Sequence, residues 1–344
     1  MVHVQKIAET PKGEDVLKVT LKSGPYTVQI LNLGATIQSL LVPDREGNER
    51  DIVLGFENPF EYIGDSTYFG QVVGRFANRI KDATFTLDGT SYTLEANNGK
   101  NSLHSGSSNW GWQIWAIEPF ELEGNPGVVL SITSKDGEGG FPGCVTATVS
   151  YLLDGGRNQL RLEYEATANQ VTPINLTNHS YFNLAGAGSG TVLNHEVQLD
   201  CNRYVEVDAQ AIPTGRVLDV EQTPFDFRRS KRVGLEVEEA GGYDHCFVFT
   251  DESENLKKVA MVYEPNSGRV MEIHTTLPSL QFYSGNFLDG SAVGKGDVAY
   301  QKHAGMCFET QYYPDSPNQA AFPNALFGPD RPYRHTTVFS FSTK

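Results

Sequence analysis

Residues 159–168 alternate strictly, with Leu160, Leu162, Tyr164 and Ala166 set against Arg161, Glu163 and Glu165. Side chains leave a strand on opposite faces, so this stretch has one buried and one wet face. Strands of that kind belong to antiparallel sheets. The preceding run, Cys144 to Leu153, lies across the turn signal Asp154-Gly155-Gly156. Further short β-rich runs occupy 16–21, 26–31, 39–43, 128–132, 259–263, 270–275, 281–283, 306–309 and 337–341. Ala83 to Leu87 and Thr90 to Leu94 flank Asp88-Gly89, the strongest short hairpin signal in the chain. Helix candidates are few and short, Pro59 to Ile63 and Arg232 to Ala240, and no window supports a long amphipathic helix. With no repeat, linker or low-complexity tract, the reading is all-β, a single large antiparallel β-sandwich over residues 1–344.

The 344 residues, 39% hydrophobic and 11% aromatic, suffice for a large core. The formal net charge of −15 argues against nucleic acid and against anionic membrane surfaces as partners. It also disfavours a multiply phosphorylated substrate. Met1 to Lys6 holds no apolar run, and no stretch approaches the length of a membrane span. Cys144, Cys201, Cys246 and Cys307 show no CxxC pairing and read as reduced, mostly buried thiols of a cytoplasmic protein.

Chemistry concentrates in Thr177-Asn178-His179-Ser180-Tyr181-Phe182-Asn183-Leu184. Four consecutive polar residues cannot share one wet face of a strand. A histidine between Asn and Ser can have its tautomer fixed by hydrogen bonds. Two rings beside hydroxyl-binding groups suit a sugar, with its apolar face and polar rim. A structural histidine in a turn is the alternative. In Gly74 to Ile80, Asn78 and Arg79 suit sugar hydroxyls or a carboxylate, or else form a solvated turn. The loop from Asn97 to Gly106 is rich in amides and carries His104. Asp244 follows Gly241-Gly242-Tyr243, and Glu309 ends the apolar run Met306-Cys307-Phe308. Burial at such a strand end raises a carboxylate towards a general-base pKa. His195-Glu196 lacks the second histidine of a zinc HExxH motif, and the eight histidines show no metal-ligand spacing. Gly186 to Gly190 is not a dinucleotide fingerprint, and there is no Walker A or GxSxG motif.

Together these stretches, with Leu33-Gly34-Ala35-Thr36 and Gln281 to Asn286, resemble the aldose 1-epimerase (galactose mutarotase) family along nearly the whole chain. The resemblance implies the galactose mutarotase-like supersandwich, with a free aldohexose bound on its concave face and its α and β anomers interconverted without cofactor or metal. It implies His179 as general acid and Glu309 as general base. Asn78, Arg79, His104, Tyr181, Asp244 and Gln281 become sugar-binding residues, with His104 also polarising the ring oxygen. A monomer or weak homodimer is expected. Ser105, where the family often has Gly, and the loop Asn109 to Trp112 depart from the family pattern.

The reaction needs a proton taken from the C1 hydroxyl and one given to the ring oxygen, which a carboxylate and an imidazolium on opposite sides of the site can do. An unperturbed His is about one-quarter protonated at pH 7, and a nearby carboxylate should raise that fraction. Three rivals remain: a non-catalytic carbohydrate-binding β-sandwich, a glycosidase using Asp244 and Glu309, and a hexose-6-phosphate epimerase.

Overall fold

The computed structural model describes all residues 1–344. Three antiparallel sheets carry the fold. The largest has nine strands, in the spatial order Ala116–Leu122, Asn125–Ser134, Val145–Asp154, Gln159–Ala168, Tyr333–Thr343, Arg269–Thr275, Lys257–Tyr263, Glu196–Leu199 and Lys231–Arg232. The alternating stretch at 159–168 is one of its inner strands, and Leu160, Leu162, Tyr164, Ala166 and Ala168 are its buried members. A six-stranded sheet runs Tyr181–Phe182, Met306–Gln311, Ser279–Tyr283, Asp244–Phe249, Cys201–Val207 and Pro213–Asp219. The third, of five strands, takes the first 51 residues, from Val2–Glu9 to Glu49–Asp51. One connected cluster of 64 buried residues draws on all three sheets. The structure thus has the expected all-β sandwich architecture.

Local chemistry explains several details. Asp88 and Gly89 both take positive φ, 49° and 78°, between Thr84–Leu87 and Thr90–Thr93. That is the turn geometry whose twist matches the strands it joins. The two helix candidates are single short 3₁₀ turns, Pro59–Tyr62 and Val233–Leu235. There is no α-helix, and no helix is long and apolar enough to cross a membrane.

One boundary differs from the sequence reading in a way that matters. The strand holding Glu309 does not end there but continues through Thr310 to Gln311, and all six of its residues are buried. Met306 and Phe308 enter the large core cluster, while Cys307, from the other face, joins a 13-residue cluster with Tyr181, Tyr283 and Leu288. Glu309 shares the face of Cys307 by the alternation of the strand. Ser279–Tyr283 is likewise buried at every position. These strands are covered on both sides, so their polar residues point into protein or into a cleft, not into open water.

Candidate active site

The stretch at 177–184 bridges two elements. Thr177 and Asn178 pair with Val73 and Val72, and Tyr181 and Phe182 pair with Cys307 and Met306. Between them, the His179 backbone donates to Gln71 O at 2.8 Å, and its carbonyl accepts the Gly70 N–H at 3.0 Å. All four residues from Thr177 to Ser180 are buried. The main chain of His179 is therefore held at both ends, and its ring is packed. Tyr181 stacks on it at 5.2 Å between centroids, and Tyr68 and His104 approach at 5.7 and 5.4 Å.

His179 Nε2 lies 3.6 Å from Glu309 Oε2. The two groups stand side by side, not on opposite sides of the site. Both oxygens that exchange protons in a mutarotation are bonded to C1, so adjacent donor and acceptor fit that substrate. Burial pushes the Glu309 carboxyl well above the usual carboxylate range, and the charge of Asp244 adds to the shift. Burial also pushes His179 down to about 4. The expectation that the carboxylate raises the protonated fraction of His179 is thus overturned: loss of water lowers the ring, and the opposing pull comes from its own backbone and not from Glu309. Glu309 Oε2 has no hydrogen-bond partner. A buried carboxyl oxygen left open in this way is what a ligand hydroxyl would occupy.

His104 sits on a strained backbone. His104, Ser105 and Gly106 take φ of 53°, 65° and 60°, a left-handed run. Ser105 bears that conformation without being glycine because its hydroxyl is committed. Its Oγ accepts the Phe76 N–H at 2.9 Å and lies 3.2 Å from Phe76 O, to which it donates. His104 Nδ1 accepts the Asn78 N–H at 3.0 Å. These bonds lock the segment 74–80 against the His104 turn. Burial first, then the charges of His179 and Arg79, hold His104 well below the ordinary histidine range. Its neutral ring, accepting at Nδ1, carries its proton on Nε2.

Arg79 is fixed by Asn98 Oδ1, which accepts its Nε–H at 3.2 Å, and its Nη1 lies 3.8 Å from Asp244 Oδ2. Asn78 Oδ1 accepts the Arg79 backbone N–H. Asp244 opens the strand Asp244–Phe249 and is not a turn residue. Asn78, Arg79, His104, His179, Tyr181, Asp244 and Glu309, seven of the eight residues expected from the sequence, line one solvent-open cleft. Gln281 does not line it. Gln281 faces Glu309 across the strand pair, and its amide nitrogen donates to Asp244 Oδ1 at 2.7 Å. It orients the carboxylate that faces the cleft.

Neighbouring polar residues take structural roles. Arg75 is buried and donates to Pro142 O, Gly143 O and Ser134 Oγ, away from the cleft. The amides of the 97–106 loop are spent on protein, since Asn97 brackets Leu103 and Asn101 holds the Asp82 N–H. Tyr68, Tyr283 and Phe287 also line the cleft walls; Tyr283 falls within the stretch Gln281 to Asn286, whereas Tyr68 and Phe287 have no sequence signature. Tyr68 stacks against Trp112 at 6.0 Å, which gives the loop at 109–112 a role as a buttress of the cleft wall.

Ligand atoms of His104, His179 and Glu309 lie within 4.8 Å of one another, so histidine spacing along the chain did not reveal a possible metal cluster. Its chemistry does not fit an ion. The Asn78 N–H occupies the lone pair of His104 Nδ1, so a metal at Nε2 would have to displace the remaining ring proton.

A sequence model of the family described as aldose 1-epimerase matches residues 17–340. The galactose mutarotase of Bos taurus is 46% identical over 347 residues, covering 99% of each chain. The aldose 1-epimerase of Escherichia coli K12 is 34% identical, covering 97% of each. Among solved structures, the galactose 1-epimerase of Lactobacillus acidophilus superposes with a TM-score of 0.87 at 25% identity, over 100% of this chain and 99% of that one.

Proposed function

The chain belongs to the aldose 1-epimerase family, and from that premise we propose that it interconverts the α and β anomers of free aldohexoses such as galactose and glucose. It is an isomerase, and the observation that carries the proposed roles is the contact between His179 and Glu309 at the base of the cleft. Glu309 takes the C1 hydroxyl proton. His179 gives a proton from Nε2 to the ring oxygen, the C1–O5 bond breaks and the open-chain aldehyde forms. Rotation about C1–C2 and closure with the roles reversed deliver the other anomer, and no net proton is consumed.

Asn78, Arg79 and Asp244 supply donors and acceptors for the remaining hydroxyls. Tyr68, Tyr181 and Tyr283 supply ring faces for the apolar side of the sugar. His104 offers an Nε2–H, a neutral donor suited to polarising the ring oxygen. Arg79 is the only lysine or arginine lining the cleft, and Asp244 stands beside it. That environment favours an uncharged sugar over a hexose 6-phosphate. The orphaned Oε2 of Glu309 favours catalysis over simple lectin-like binding. The connected core supports reading residues 1–344 as one domain, and the four free cysteines support a cytoplasmic location.

Polarimetry on freshly dissolved α-galactose and α-glucose tests the reading. The protein should speed the approach to the equilibrium rotation, and dialysis against EDTA should leave the rate intact. No acceleration with either sugar would defeat the reading. Loss of rate on chelation, restored by a divalent ion, would defeat its metal-free form.

A further inference from the structure

Cys307 stands two residues before Glu309 on the same strand, so both side chains leave the sheet on the cleft side. Its sulfur lies 3.6 Å from His179 Nδ1, within reach of a hydrogen bond involving sulfur. Nδ1 is the ring nitrogen turned away from Glu309, since Nε2 makes the 3.6 Å approach to the carboxyl. Two further polar groups lie near the ring: His104, whose ring nitrogen falls within 4.8 Å of a His179 nitrogen and of the Glu309 carboxyl, and the carbonyl of His179 itself, whose pull favours a proton on the imidazole. A carbonyl accepts and cannot donate. Sulfur can do either, and burial keeps Cys307 a thiol.

We propose that Cys307 is a positioning residue whose sulfur accepts the Nδ1–H of His179, leaving the Nε2 lone pair towards Glu309 as the single port for proton exchange. The proposal rests on the reading of His179 and Glu309 as the catalytic pair. The cycle is drawn from the neutral pair, with its one proton on the Glu309 carboxyl, facing Nε2. Transfer to Nε2 gives a carboxylate and an imidazolium whose Nδ1–H still points at sulfur. The ring oxygen of the sugar then takes the Nε2 proton while Glu309 takes the C1 hydroxyl proton. The C1–O5 bond breaks, C1=O1 forms and the pair again holds one proton. Nδ1 keeps its hydrogen throughout, so the ring need not change tautomer or flip during turnover.

The choice of sulfur has a consequence. A carboxylate behind a histidine stabilises the imidazolium and raises the basicity of the ring. A thiol fixes the tautomer as a weak acceptor and leaves the ring mostly neutral. His179 can then give up its proton readily once it has received it.

The test is histidine ¹⁵N NMR on the whole sugar-free protein near neutral pH, with the His179 signals identified by their loss in H179Q. The expected wild-type pattern is a protonated Nδ1 and a bare Nε2. In Cys307→Ala, Nε2–H should appear and kcat on galactose should fall by about 10–100-fold, the range known for loss of the partner that orients a metal-bound histidine. KM should stay within about twofold, because the loss is confined to the chemical step. Cys307→Ser keeps an acceptor and should restore both the tautomer and most of kcat. An Nε2–H tautomer in the wild type overturns the proposal. So does a Cys307→Ala protein that keeps the wild-type tautomer, whatever its rate. A wild type with no mutarotase activity would defeat the functional reading instead, and the tautomer measurement would still report on the contact.

Discussion

Glu309 and His179 are each pushed towards the neutral form, and this inverts the usual assignment of a pH profile. Burial raises Glu309 and lowers His179 to about 4. The active arrangement, carboxylate plus imidazolium, carries the same single proton as the neutral resting pair. Activity should follow the one-proton population of the pair. The acidic limb of kcat/KM then reports a second proton entering His179, and the basic limb reports loss of the proton held by Glu309. In His179→Gln only the carboxylate remains to titrate. Its acidic limb should therefore lie at higher pH than in the wild type, and the basic limb should vanish. An acidic limb that stays in place would show that Glu309 is the lower of the two groups. Glu309→Gln should fold normally and lose about 10²–10⁴ in turnover, the size of a general-base contribution. Near-full polarimetric activity in that variant would remove Glu309 from the mechanism. Arg79, one-eighth exposed and held by Asn98 and Asp244, contributes to the cleft wall more than to the core. Arg79→Ala should raise KM with little loss of Tm. A collapsed Tm with unchanged KM would make Arg79 structural.

At the scale of elements, the turn that presents His104 is the part most dependent on a single side chain. Ser105 combines a left-handed φ of 65° with a hydroxyl that serves both backbone groups of Phe76. The sequence showed only that a non-glycine residue stands there. Its compensation lies 29 residues away, beyond the reach of any local pattern. Ser105→Ala keeps the strained φ and leaves buried Phe76 groups unpaired, so it should cost about 1–3 kcal/mol in urea denaturation. It should also raise KM, because the same bonds align Asn78 with His104. Equal stability and KM would show that the turn is held by other contacts. The strands divide along similar lines. Gln159–Ala168 and Tyr26–Leu31 were legible to the residue because runs of alternating or β-rich residues bounded by turn signals mark them. Met306–Gln311 was cut short at Glu309 because buried Thr310 and Gln311 look like a strand end. Val2–Glu9, mostly exposed at a sheet edge, carries too little apolar signal to be read. Tyr68 and Phe287 reach the cleft from irregular segments, where no periodicity announces a function. Cys307 read as an inert buried thiol because its meaning depends on a ring 128 positions away.

Taken as a whole molecule, the protein stores neutral histidines in widely separated places. His179 faces the cleft. His195 holds the Leu184 N–H on its Nε2 at 3.0 Å, and His335 lies between the hydroxyls of Thr276 and Tyr312 at 3.1 and 3.2 Å. Burial lowers all three to about 4, from 6.5 in the exposed state, and His104 is lowered as well. Between those two values the unfolded chain binds protons that the folded chain refuses. Stability should therefore fall as pH drops from about 6.5 to about 4, by up to about 1.4 kcal/mol per pH unit for each such histidine. Below the folded values both states are protonated, and this contribution levels off. Glu309 has the opposite sign. Its raised folded pKa makes the native state the better proton binder above the ordinary carboxylate range, so it costs stability as pH rises through that region. Glu309→Gln should consequently raise Tm at neutral pH while removing activity, with the gain shrinking towards pH 4. His195→Gln, in which a side-chain oxygen can still accept from Leu184, should flatten the acid decline by one proton's share and leave turnover alone. Tm measured by calorimetry from pH 4 to pH 7 on the three proteins decides the matter. An acid slope in His195→Gln equal to the wild type would place the missing proton uptake on other groups, and an unchanged Tm in Glu309→Gln at pH 7 would mean that the carboxyl is solvated well enough to ionise without cost.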